Sequence, residues 1–138
     1  MNRRFILIII LIALVITDIA AFAQQQHRPY NLIMKDIQPA FAALRKDLDG
    51  NNGAAAAEDA AKLQALFTEV EGFWAPFDTQ DAVGFAKRAG EAAAKIGTAA
   101  KANDIKGAQA SLAVVQKTCA SCHFAHREET AKGFLIRP

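Results

Sequence analysis

The chain has 138 residues, 52% of them hydrophobic, with a formal net charge of +2. One domain's length and a near-neutral charge leave no basic face for phosphates, which excludes a nucleic-acid-binding module. The hydrophobic fraction is raised by the first two dozen residues, so these are taken apart from the rest.

Arg3 and Arg4 precede an unbroken apolar run from Phe5 to Ile16; Asp18 ends the run, and Ala21-Phe22-Ala23 offers an A-x-A cleavage site. That is the order of a secretory signal peptide, so residues 1–23 are expected to be cleaved off and the chain to work in the periplasm. The alternative is an uncleaved anchor, because Phe5 to Ala23 carries one charge and just reaches the length of a thin-bilayer span. The shortness of the strictly apolar run favours cleavage, with no stable membrane span afterwards. Removing 23 residues leaves one domain, 24–138, of 115 residues with 14 basic and 13 acidic side chains, a formal charge of +1.

This mature part holds 26 alanines and no alternating apolar runs, so it reads as all-α. Turn signals at Asp49-Gly50-Asn51-Asn52-Gly53, at Gly72 to Asp78 around Pro76, and at Ala102-Asn103-Asp104 divide it. They predict four helices over 29–49, 54–72, 79–102 and 104–131, whose short connections imply an antiparallel, up-down-up-down four-helix bundle.

In the first helix Tyr30, Met34, Ile37, Phe41, Leu44 and Leu48 form the seam, with Met34 pointing inward and Pro39 removing a backbone bond one turn later. Leu63, Leu66, Phe67 and Val70 form the seam of the second, which runs into the aromatic cluster Phe73, Trp74 and Phe77. The third, opened by Asp78 or Thr79, shows a face of Ala82, Phe85, Ala89, Ala93 and Ile96. So little side-chain bulk demands either very close packing or a guest in the core.

The last helix is capped by Asp104, and its seam runs Ile105, Ala108, Leu112, Val115, Cys119, Cys122 and His126. Both cysteines of the protein lie in the run Cys119-Ala120-Ser121-Cys122-His123. C-x-x-C-H is the attachment pattern of a c-type haem, in which two thiols join the vinyl groups and the adjacent imidazole binds the iron. His123 lies about 40° round the helix from Cys119 at about 100° per residue, so thioethers and imidazole share one face. A structural zinc site would need four ligands, and Cys119, Cys122, His123 and His126 on one straight helix surround a tetrahedral ion poorly. A thioredoxin-type dithiol expects a βαβ setting, which is absent; a simple disulfide is the remaining rival. His27 reads as part of a solvated tail. His126 is expected to cap the bundle end, with a bond to a haem carboxylate as the alternative, and Phe134-Leu135-Ile136 to fold back onto the bundle or to meet a second subunit.

A haem motif at the end of the last helix of an Ala-rich four-helix bundle resembles the class II c-type cytochromes, the cytochrome c′ family. The resemblance covers essentially the whole mature chain. It implies one covalent haem c with its iron, Cys119 and Cys122 as attachment residues, His123 as proximal ligand, and Arg127 as a basic residue near the haem. Met34-Lys35-Asp36-Ile37, followed by Phe41, Leu44 and Gly50, is similar to the first helix of the low-spin members, which implies Met34 as distal ligand. Arg28, four residues before Leu32, sets a rival frame in which Leu32 stands at the distal position and the iron is five-coordinate.

Two functions are therefore expected: electron transfer with redox partner proteins, or binding of NO or CO at a five-coordinate haem. A structural bundle with a fortuitous C-x-x-C-H is the third. No Ser/His/Asp set, phosphate loop or paired inward carboxylates indicate an enzyme, since Asp and Glu fall at helix ends and on outer faces. The family often dimerises through its first two helices, which implies a homodimer by analogy.

Overall fold

The structure is a computed structural model that describes residues 28–131 and 133–137. The expected signal peptide and His27 lie outside the described residues. Four helices, α1 (Tyr30–Asp49), α2 (Gly53–Trp74), α3 (Gln80–Lys101) and α4 (Ile105–His126), pack into a bundle. A short hairpin of β1 (Arg127–Thr130) and β2 (Gly133–Ile136) follows. No helix among the described residues is long and apolar enough to cross a membrane.

The helices start where small polar residues satisfy their free amides. Ala55 N–H donates to Asn52 Oδ1 at 3.3 Å, and Gly107 N–H donates to Asp104 Oδ1 at 2.9 Å, two side-chain caps. Asn51 and Asn103 turn the chain with φ of 55° and 59°, the left-handed region that Asn tolerates. Gly53 is required by a close approach: a Cβ there would lie 2.7 Å from the Ala100 carbonyl oxygen, where the start of α2 meets the end of α3.

Alanine decides how the middle pair meets. Ala56, Ala57 and Ala60 of α2 are buried, as are Ala82, Ala86, Ala89, Ala92, Ala93 and Ala100 of α3. With methyl groups on both faces, α2 and α3 make the most extensive contact in the molecule. The larger fully buried side chains lie around this slab, among them Ile33, Leu44, Leu48, Leu63, Trp74, Ile96 and Val115. Each helix packs on its neighbour in sequence, but α1 and α4 touch only sparsely.

Pro39, whose effect the sequence leaves open, does not split α1, which is helical from Tyr30 to Asp49 with the proline exposed. Other features refine or correct what the sequence led us to expect. Ile33 is fully buried, and Met34 is half-buried beside it. Asp59 is buried rather than on an outer face, with its carboxylate 2.7 Å from Lys62 Nζ. The last helix ends at His126, not at 131, so Glu128 and Glu129 are exposed on a strand instead of in a final helical turn. Arg127 takes extended angles, φ −114° and ψ 125°, and β1 pairs antiparallel with β2 in the register Arg127↔Ile136 to Thr130↔Gly133. The helix formers after Arg127 are overruled by long-range bonds: Arg137 N–H donates to His126 O at 2.8 Å, and Gly133 turns the chain with φ 120°.

Candidate functional site

Sparse contact between α1 and α4 leaves a cavity of about 740 Å³, within the range of about 300–1,000 Å³ typical of ligand and cofactor pockets. Thr118, Cys119, Cys122, His123 and His126 of α4 form one wall, and Tyr30, Met34 and Ile37, with Asn31, Lys35 and Gln38 beside them, form the α1 wall. Phe67, Val70 and Phe73 of α2 and Phe85, Ala86 and Ala89 of α3 close the back. Arg127, Phe134, Leu135 and Ile136 add a wall from the hairpin. The methyl groups of Ala86 and Ala89 leave room that larger side chains would fill.

All five residues expected at the site line this cavity: Cys119, Cys122, His123, Arg127 and Met34. Cys122 is buried, Cys119 half-buried, and both are free thiols. Burial pushes the Cys122 thiol up to about 11, helped by Cys119 and Asp81, and burial raises Cys119 as well. Such cysteines are poor nucleophiles and poor ligands for a bare ion, both of which need thiolate. Among the described residues no group of three or more His, Cys, Asp or Glu is arranged to hold a metal ion. His123 lines the cavity but is exposed on its outer side; partial desolvation, and then the Arg127 charge, lower its proton affinity and so favour the neutral imidazole.

The lining also has a sign. It contains no carboxylate among the described residues, whereas Lys35 and Arg127 bring positive charge to it. The donor set, the apolar walls and this charge fit a large, flat, anionic macrocycle that carries its own metal: the thiols face an apolar space, a neutral imidazole adjoins them, and cations answer the acids.

Of the two frames for the distal position, Met34 lines the cavity, while Leu32 is 43% exposed and is not among the lining residues. Arg28 binds Asp36 and Glu69, each at 2.7 Å, and so ties the start of α1 to α2. Arg127 lies over the Phe134 ring, its guanidinium carbon 3.2 Å from the centroid.

His126 does cap the bundle end. It is buried, with Nε2 3.0 Å from Asp81 Oδ2 and Nδ1 2.8 Å from Arg137 O. Tyr30 was expected only as seam, yet it lines the cavity against Phe73, ring centroids 4.6 Å apart. Phe134, Leu135 and Ile136 do fold back, as their apolar run suggested, but the hairpin they form had no local signal, because the partners that fix it are eleven residues apart.

No family model, no curated protein and no solved structure matches the chain.

Proposed function

We propose that the protein is a periplasmic electron carrier in an up-down-up-down, antiparallel bundle. One haem c is joined to Cys119 and Cys122, with His123 as proximal and Met34 as distal ligand. The observation that carries this reading is that these four residues line one cavity whose other walls are largely apolar. Bound haem supplies an iron that alternates between ferric and ferrous states, and His/Met ligation raises its potential.

The chain's own residues then have separate tasks. Cys119 and Cys122, held as thiols by burial, are the groups consumed in attachment. His123 offers a neutral nitrogen one helical turn from Cys119, and Met34 offers a thioether that needs no deprotonation. Phe67, Val70, Phe85 and the small Ala86 and Ala89 keep water from the centre, while Lys35 and Arg127 give positive charge to the haem acids. Export by residues 1–23 brings the chain to the compartment in which thioether attachment takes place and redox partner proteins are met.

The test is an optical spectrum of the exported, purified protein, oxidised and reduced, before and after CO. Expected are covalently bound haem, a low-spin ferric spectrum, and a Met-to-iron charge-transfer band in the far red that Met34→Ala abolishes. A high-spin spectrum that Met34→Ala leaves unchanged and CO shifts at once makes the protein a five-coordinate binder of NO or CO instead. A mass equal to the bare polypeptide overturns both.

A further inference from the structure

We propose that His126 is a positioning residue, the latch that holds the C-terminal hairpin in place as a wall of the cavity. In this arrangement the hairpin controls how freely water and small solutes enter. Two features of the hairpin leave it weakly held by itself. Its strands are four residues each, and a two-stranded ribbon alone is marginal in water. Phe134, Leu135 and Ile136 line the cavity yet remain 58%, 59% and 40% exposed, so apolar burial anchors them weakly. The hairpin also bends a chain whose local preference is helical.

His126 sits where these weaknesses meet. Its carbonyl accepts from Arg137 N–H at 2.8 Å and its Nδ1 contacts Arg137 O at 2.8 Å, so one residue makes two bonds to the far end of the hairpin. Nε2 is fixed from the other side by Asp81 on α3 at 3.0 Å. Ring contacts with Trp74, centroids 5.1 Å apart, and Phe85, 6.5 Å, hold the imidazole in one orientation. The second tie, Arg137 to Glu128 at 3.7 Å, is between exposed groups inside the hairpin and holds it to nothing else. Among the described residues, the hydrogen bonds that join the bundle to the end of β2 thus run through one side chain and its carbonyl, and the cavity's accessibility depends on that link.

The proposal depends on the haem reading only where a loaded protein is measured. In the haem-free full chain, His126→Ala is expected to raise hydrogen exchange of the strand amides and the alkylation rate of Cys119 and Cys122 by iodoacetamide. The rise is about tenfold, the change that loss of about 1.4 kcal/mol of net hydrogen bonding brings. Arg137→Pro, which removes the N–H donor outside the bundle core, is expected to do the same while the exchange of α2 and α3 is unchanged. Combining the two should add little to either alone, because both release one element. In the haem-loaded protein the reduction potential should fall as water reaches the iron. Unchanged strand exchange and unchanged alkylation in Arg137→Pro overturn the latch, even where His126→Ala loosens the whole fold. A protein that carries no haem defeats the function proposed above, while the exchange and alkylation results still decide the latch.

Discussion

Tyr30 is the only tyrosine in the chain, so its ionisation can be followed without assignment. Burial pushes its phenol up to about 12, against a smaller opposite pull from the Trp74 indole. The unfolded phenol loses its proton near the ordinary value of 10.0, and the folded one holds it about two pH units longer. The stability linked to this difference is therefore intact below pH 10 and is lost as the pH rises toward 12. An absorbance titration of the haem-free chain should show one late phenolate transition, and ionisation near 10 while the fold is intact would refute the buried position. At this scale the residues that meet at the cavity were legible and their neighbourhood was not. Cys119, Cys122 and His123 could be read because their spacing is a chemical signature and their helical phase put the two cysteines on the core seam with His123 on its flank, where it is exposed. Met34 was harder, since a 4-3-4 seam gave it the same weight as Ile37. In the folded chain Ile33 takes the fully buried place and Met34 the flank that borders the cavity. Among the described residues Trp74 Nε1 is buried without a hydrogen bond of full geometry, near enough to the Tyr30 phenol only to pull on it weakly, a detail that sequence periodicity does not reach.

Pro39 tests the elements in the same way. In a helix interior proline removes one backbone bond and crowds the preceding turn, at about 3 kcal/mol relative to Ala. Yet α1 runs through it, because Ile33, Ile37, Leu44 and Leu48 are buried on both sides and hold the two halves in line. The proline ring is exposed and takes no part in that packing, so Pro39→Ala should raise stability by as much as about 3 kcal/mol. Urea unfolding followed by far-UV circular dichroism measures this, and a loss of stability would mean that the proline shapes the cavity wall. Four helices were legible because Ala-rich amphipathic stretches alternate with Asn, Gly and Pro, and their ends fall within a few residues of those breakers. The exception is the end of α4. Nothing local stops a helix at His126, where neither glycine nor proline follows, and the decision is made by Arg137 and Asp81, which are distant in sequence. Secondary structure fixed by such contacts is the part that local propensity cannot supply.

Across the whole molecule, contact is unevenly shared: α2 with α3 and α3 with α4 carry most of it, and α1 leans on α2 with only sparse support from α4. The short connections made sequence neighbours predictable as packing neighbours. The small face of the third helix left two outcomes open, close packing or an unfilled core, and both occur: most of its alanines pack on α2, while Ala86 and Ala89 border the gap between the first and last helices. A cavity of about 740 Å³ on one side of α1 means that this helix lacks part of the packing that the others have. Local opening follows local packing, so α1 should be the first helix to exchange its amide hydrogens in the haem-free chain, while α2 and α3 exchange last. If a haem fills the space, contacts are added between α4, to which it is bound, and α1, through Met34 and the neighbouring lining residues. Loading should then slow exchange in α1 more than in any other helix and raise the midpoint of thermal unfolding. Met34→Ala should cancel part of the α1 protection while the haem stays covalently attached, which separates ligation by Met34 from simple filling of the cavity. Equal slowing in all four helices would instead mean that the cofactor stabilises the bundle without bridging its open side.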